Sequence, residues 1–343
     1  MKIILDAMGG DNAPMSVVKG AADAQKEFGV DIILVGREAE VNDCLTQCGA
    51  KDNPHIRVVN ADEVIDMHDD PAHAVRRKKN SSMTVALNLL HDGEGDAAVS
   101  AGSTGALLTG ATLLVKRIRG IRRAAMAPVL PNGGKGVVLI DCGANVECTP
   151  EYLLQFGFMG SYYSHNILGC ADPRVGLLNN GSEDTKGTAL CKEAYALLKA
   201  AGDEGRLNFI GNVEGTDVFS GKVDVIVTDG YTGNILLKTV EGTAKFLMKN
   251  IKGILTKSLK TKLGALLIKK DFYGLKKLFD VSEVGGTAFI GITKPVIKAH
   301  GSSDARAIRS AIRQAIDFTN MGVIEDIERN IEHMMLREEQ ATE

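Results

Sequence analysis

The sequence predicts an α/β protein, a three-layer α/β/α sandwich around a mostly parallel sheet. Two observations carry this. Short apolar runs recur along the 343 residues, each ending in a Gly-rich or acidic turn, and stretches of helical periodicity lie between most of them. Strand alternating with helix implies parallel pairing, because a parallel crossover needs a long connection and usually uses a helix.

The expected strands are Ile3–Leu5, Ile32–Val35, Ile56–Val59, Ala97–Val99, Val137–Ile140, Arg174–Leu178, Leu207–Ile210 and Val223–Val227. The expected helices include Ser16–Phe28, Ser82–Leu90, Thr104–Ile118 and Glu151–Leu168, and the tail from Ser302 to Glu339 reads as two helices around Gly322. No internal repeat and no low-complexity linker divides the chain, so residues 1–343 are expected to form a single catalytic domain.

One segment breaks the pattern. Residues 245–277 hold ten lysines and one acid, Asp271, which leaves the rest of the chain strongly acidic although the whole carries only −3. Apolar residues recur there at spacings of three and four: Leu247, Ile251, Ile254, Leu255, Leu259, Leu263, Leu266 and Leu267. A cationic polar face beside an apolar stripe, with no long apolar run, marks a projecting helical segment that lies on an anionic membrane surface. The expected contacts are Leu255, Leu259, Leu263, Leu266 and Leu267; packing against a second copy would use the same stripe. No segment approaches the ~20 apolar residues of a membrane span.

Composition excludes several function classes. With 40 Lys and Arg against 43 Asp and Glu, no Trp and 5% aromatics, nothing points to nucleic acid. The six cysteines, at 44, 48, 142, 148, 170 and 191, form no C-x-x-C pair and meet no His at zinc-finger spacing. Reduced thiols in a cytoplasmic protein are expected, and the apolar start Ile3-Ile4-Leu5 is too short for a signal peptide.

The chemistry is expected in the loops after the strands, where open parallel sheets bind ligands. These are Asp6–Pro14, Ser100–Ala106, Asp141–Glu147, Asn179–Gly187 and Thr228–Asn234. Each combines Gly with small polar residues before a helix. Gly allows close backbone approach, and a helix start offers free N–H groups to an anion. Such residues also simply make turns and caps, so one loop says little, but five on one sheet edge imply a shared site for an anionic ligand. Neither a dinucleotide fingerprint nor a P-loop occurs, and no G-x-S-x-G nucleophile is present. His300 precedes Gly301-Ser302 as a further candidate; a turn histidine is the plainer account. Lys186 is one cation among acids at a strand lip, and the amide of Asn234 could donate to a reacting carbonyl.

Taken in order, seven motifs resemble one family. They are Met8–Pro14, Ser100–Ala106, Asp141–Asn145, Val175–Asn179, Gly211–Gly215, Asp229–Asn234 and His300–Ser303, and together they cover nearly the whole chain. The family is the phosphate acyltransferase of bacterial phospholipid synthesis, which converts acyl-acyl carrier protein and phosphate to acyl phosphate. Ser103 stands where the family often has Asn. The resemblance implies an isocitrate/isopropylmalate-dehydrogenase-like fold shared with phosphate acetyltransferases, a homodimer, a peripheral membrane habit, no cofactor and no metal. It points to Lys186 and Asn234 as the catalytic pair. The substrate and phosphate residues expected beside them are Asp6, Gly9, Gly10, Asp11, Ser103, Thr104, Gly105, Asn145, Asp229, Gly233 and His300. Expected partners are acyl carrier protein, inorganic phosphate, an anionic membrane surface and a downstream membrane glycerol-phosphate acyltransferase. An acidic carrier would meet either Arg76-Arg77-Lys78-Lys79 or Lys116–Arg119 with Arg122 and Arg123. Rival readings are an acetyl- or butyryltransferase using coenzyme A, a metal-dependent dehydrogenase and a non-catalytic membrane scaffold. The lysine-rich segment speaks against the first, the missing cofactor signatures against the second, and the five polar loops against the third.

Overall fold

A computed structural model describes residues 1–268, 274 and 285–336. The expected single sheet is in fact two. The first has seven strands: β1 (Lys2–Asp6), β2 (Asp31–Gly36), β3 (Ile56–Asn60), β4 (Ala97–Ser100), β5 (Ala125–Met126), β11 (Gly286–Ile290) and β12 (Val296–Ala299), in the order β3-β2-β1-β4-β12-β11-β5. The second has five: β6 (Val129–Leu130), β7 (Val137–Ile140), β8 (Val175–Leu178), β9 (Phe209–Val213) and β10 (Val225–Val227), in the order β6-β7-β10-β8-β9.

The chain passes between them at Ala127-Pro128. Met126 on one side pairs with Phe289 of β11, and Val129 on the other pairs with Val138 of β7. Proline has no N–H to continue a ladder, so the strand breaks there and its halves join different sheets. Both sheets are mainly parallel, with antiparallel pairing at β11–β12, β11–β5 and β6–β7.

The apolar runs are strands because both their faces are covered, which favours continuous Val, Ile and Leu over alternation. Ile3, Leu5, Val138, Ile140, Val225 and Val227 belong to one contiguous buried core that spans both sheets. Helices α1 (Met15–Phe28), α2 (Glu38–Gln47), α3 (Pro71–Arg77), α4 (Ser82–His91), α5 (Thr104–Gly110), α6 (Pro150–Leu168), α7 (Ala189–Asp203), α8 (Gly230–Thr256), α9 (Leu259–Leu267), α10 (Ala305–Asn320) and α11 (Val323–Arg329) cover them.

Several expected boundaries move. The helix expected to reach Ile118 ends in a π turn at Ala111–Val115, before Lys116 at φ 81°. The strand expected at Leu207–Ile210 runs over Phe209–Val213, because Gly205 turns the chain with positive φ and Leu207 packs into the core beneath α6 and α7. Gly322 does separate the last two helices, in left-handed conformation at the start of α11; the second ends at Arg329, ten residues before the expected Glu339, which lies outside the described residues.

Helix α8 runs for 27 residues, yet only Gly230 and Gly233 in its first turn are buried. Its distal half projects from the body, and α9 follows after a break at Lys257-Ser258, where Ser258 and Thr261 cap each other. Leu255 is half-buried, while Leu259, Leu263, Leu266 and Leu267 are 65–87% exposed. Most of residues 269–277, the end of the expected segment, lie outside the described residues. No helix among the described residues is long and apolar enough to cross a membrane.

Candidate active site

The C-terminal ends of β1, β4 and β12 meet in a polar floor. Register pairs Leu5 with Val99 and Lys298 with Ser100, so Asp6 and Ser100, which end β1 and β4, and Lys298, one residue before the end of β12, stand in one row across three neighbouring strands. Asp6 is buried and accepts from Ser82 Oγ at 2.5 Å and Ser100 Oγ at 2.6 Å. Burial pushes its carboxyl above the usual range, although these hydroxyls oppose the shift. Asp6 therefore acts as a fixed acceptor that clamps the loops around it.

Gly9 is required here. A Cβ on it would come within 2.5 Å of Asp6 Oδ2 and 2.7 Å of the Gly102 nitrogen, so only glycine lets the β1 and β4 loops touch. The β1 loop is also tied to the loop after β12. Asp11 N–H donates to Gly301 O at 2.8 Å, and Asn12 Nδ2 donates to the carbonyls of Ser302 and Ser303. The Asp11 amide is thus already spent and is not a free donor for phosphate. His300 Nδ1 accepts from the Ser302 backbone N–H at 3.2 Å, which places the proton of the neutral ring on Nε2. Burial lowers the His300 pKa, so the ring is neutral near pH 7.

Over this floor opens a cavity of about 780 Å³, within the roughly 300–1,000 Å³ of small-molecule sites. Gly10, Asp11, Ser103, Thr104, Asn234 and His300, six of the expected site residues, line it. One wing is apolar: Val64, Ile65 and Met67 on one side, Met126, Val129 and Leu130 on another, with Leu237 and Val240 from α8. Two lysines come from α8: Lys238, paired with Glu241 at 2.9 Å, and Lys245. A third lysine, Lys298, comes from the floor.

The other expected residues stand behind the wall or apart from it. Asp6 and Gly9 shape the floor from below, and Gly105 sits where a Cβ would strike Pro71 of α3. Asn145, Asp229 and Gly233 form a brace around Asp141. That carboxylate accepts from the backbone N–H groups of Met126, Cys142 and Asn145 at 2.9, 2.7 and 2.6 Å, and from Asn145 Nδ2 at 3.1 Å. Burial raises its pKa to about 6. Gly230 N–H donates to Asn145 O, and Asp229 caps α8 through Thr232. Gly233 lies so close to the Asp141 carbonyl that any side chain would collide with it. The result is a rigid first turn of α8, which holds Asn234 at the cavity beside Gly143.

Lys186 is not brought to the cavity wall. It stands on the β8–α7 loop with 47% of its side chain exposed, 3.9 Å from Glu183. Asn179 Nδ2 holds the Lys186 carbonyl at 3.1 Å, and Asn212 Nδ2 holds that of Glu183 at 2.7 Å. This loop belongs to the second sheet, and among the described residues it meets the cavity through no side chain.

Of the two arginine clusters, Arg122 is engaged by Glu151 at 2.7 Å and Arg123 lies over the Tyr152 ring, while Arg76 and Arg77 are exposed at the end of α3. All six cysteines are unbridged, and burial pushes the thiols of Cys142 and Cys148 up to about 12.

Sequence reasoning missed Lys298 and the apolar wing, and it named Asp141 only as part of a loop. A lysine inside the buried run Val296-Ile297-Lys298-Ala299, directly before His300-Gly301, was the available signal.

With this geometry in place, relatives can be compared. The fatty acid synthesis protein family matches residues 1–326. The chain is 48% identical over 341 residues to the phosphate acyltransferase of Oceanobacillus iheyensis, covering 99% of this chain and 100% of the relative. It is 48% identical over 334 residues to the phosphate acyltransferase of Geobacillus thermodenitrificans, covering 97% and 99%. Among solved structures, a phosphotransacetylase from Streptococcus pyogenes shares the fold, with a TM-score of 0.61 at 21% identity over 95% of this chain and 94% of that one.

Proposed function

Because the chain belongs to the fatty acid synthesis protein family and, within it, to the phosphate acyltransferases, we propose that its cavity moves a fatty acyl group from acyl carrier protein to inorganic phosphate. A single observation supports the site. One cavity is lined by neutral His300, Ser103 and Thr104, by the apolar wing, and by Asn234, whose side-chain amide makes no hydrogen bond among the described residues. An anion and an acyl chain need such opposite surroundings within bonding distance of each other.

The reaction demands little of the protein beyond placement. An oxygen of hydrogen phosphate attacks the thioester carbonyl carbon, and the carbonyl π electrons move to its oxygen. The tetrahedral adduct collapses, the carbon–sulfur bond breaks, and the phosphate proton ends on the departing thiol. Acyl phosphate and free carrier result, with no acyl-enzyme. A thiol of pKa about 8.5 leaves readily, so positioning and charge stabilisation can supply most of the catalysis. In this scheme Asn234 donates to the carbonyl oxygen as charge develops on it. Lys186 stabilises the oxyanion or the thiolate, and backbone N–H groups at Gly10 and Ser103–Gly105 orient the phosphate or the pantetheine arm.

The reading extends to placement in the cell. The distal half of α8 and α9 would rest on an anionic membrane from the cytoplasmic side, as a peripheral contact of a homodimeric enzyme. The product, a long-chain acyl phosphate, is apolar and suits a membrane glycerol-phosphate acyltransferase as its user.

The test offers purified protein phosphate with either a long-chain acyl carrier thioester or acyl-CoA, and traps acyl phosphate with hydroxylamine. Acyl hydroxamate from the carrier substrate is expected. Product only from short-chain acyl-CoA would transfer the reading to a phosphotransacetylase.

A further inference from the structure

Lys298 is the group in the cavity that the proposed reaction leaves without a task. It is 9% exposed, on a strand hydrogen-bonded on both sides, and its ammonium faces Ala101 O at 3.4 Å and its neighbour Ala299 O. No carboxylate among the described residues forms an ion pair with it. The other two cavity lysines differ: Lys238 is paired with Glu241, and Lys245 is exposed on α8.

We infer that Lys298 is the phosphate anchor of this site, holding the anion at the polar floor among Gly10, Ser103, Thr104, His300 and Ser302. The proposal rests on the phosphate acyltransferase reading and deepens it. Its basis is geometric. Lys298 stands one residue before the end of β12, pairs with Ser100 at the end of β4, and lines the cavity with Gly10, Ser103, Thr104 and His300. An anion on Lys298 and an acyl thioester along the apolar lining then share the cavity that Asn234 also lines, so that a phosphate oxygen can add to the face of the carbonyl.

The electrostatics agree. A buried ammonium without a counter-ion is costly, so desolvation lowers the Lys298 pKa to about 8. The groups around it are Asp6 on β1 and Asp11 on its loop, which favour the charged form, and Lys238 on α8, which opposes it. His300 on the following loop is neutral near pH 7. Asp6 is held by two serine hydroxyls and Asp11 by Gly301 through its backbone, so neither closes on the ammonium. A bound dianion supplies the missing counter-charge and draws a proton onto Lys298. Binding should therefore weaken as pH rises through about 8.

Sulfate separates this titration from that of phosphate, because sulfate stays a dianion across the range. Calorimetry on the full chain should show sulfate binding falling at least about fivefold from pH 7 to 9. Lys298→Met should raise the Kd and KM for phosphate at least about tenfold, the loss expected for one hydrogen bond to a charged group, while the KM for acyl donor stays within about twofold. It should also flatten the sulfate pH series. A purely structural lysine would change melting temperature without this selective split. Unchanged phosphate affinity in a folded Lys298→Met overturns the proposal. So does wild-type protein that binds sulfate equally at both pH values or not at all, and that series decides alone should the variant not fold. A wild type that binds phosphate at Lys298 yet forms no acyl phosphate would instead remove the reaction reading.

Discussion

The rims of the two sheets carry the same sequence signature and use it differently. On the first sheet, the loops after β1, β4 and β12 converge. Gly9 touches Gly102, Asp11 bonds Gly301, Asn12 bonds Ser302, and Ser82 and Ser100 both bond Asp6. On the second sheet they part. The β7 loop and the start of α8 form a brace around Asp141 that presents Asn234, whereas the β8 loop with Lys186 is fastened to β9 by Asn179 and Asn212. Gly with small polar residues thus announces a strand end that can serve a ligand. Which ends serve the same ligand depends on how each loop is fastened, not on the signature itself.

The sharpest way to break the comparison is to truncate one residue from each arm of the second rim. Asn234→Ala should lower turnover by about 10²–10³, the usual loss of one oxyanion donor, with the melting temperature unchanged. Lys186→Ala is expected to match it. If Lys186→Ala keeps near-normal turnover while Asn234→Ala does not, the β8 loop is a fastening only and the catalytic pair dissolves.

A glycine pair sharpens the contrast at smaller effect. Gly9→Ala forces a Cβ against Asp6 and Gly102, so it should cost about 1–3 kcal/mol of stability through overpacking and about 10² in turnover through displaced loops. Gly215→Ala, just past β9 with open space around it, should be nearly silent. Denaturant melts and initial rates on both variants check this. Equal effects would mean that the two rims are equally tight.

The weakest expected effect on chemistry lies at the far end of α8. Leu263→Glu with Leu267→Glu should leave turnover on soluble substrate within about twofold of wild type and abolish flotation with anionic vesicles. Wild-type flotation should also fade with salt, as screened charge requires. A variant that falls to half the mass while wild type ignores vesicles would make the stripe a dimer seam.

Much of this was legible in the residues. The apolar runs gave β1 to β4, β7, β8 and β10 with errors of a residue or two, because strands buried on both faces are written as unbroken Val and Ile. The short strands β5, β6, β11 and β12 were not seen. Two-residue pairs such as Ala125-Met126 carry no periodicity, and Gly286-Thr287 does not look like a strand start. Missing them hid the division into two sheets. Six of the expected site residues do line the cavity, since loop residues advertise themselves by composition. The apolar wing did not, because Val64, Met126 and Leu130 look the same whether they face a core or a substrate. Lys298 was readable in principle as a charge inside a buried strand.

Helix α8 begins at the Asp141 brace and continues without a break to Thr256, so Asn234 and the exposed tip sit on one rod, separated by about 33 Å at 1.5 Å per residue. A helix bends little over that length. Whatever grips the tip therefore sets the angle at which the cavity faces its surroundings, and a torque applied there is delivered to the turn that presents Asn234. Inserting two residues between Glu241 and Lys245 would rotate the tip by about 200° while leaving the brace untouched, turning orientation into something that can be dialled separately from chemistry.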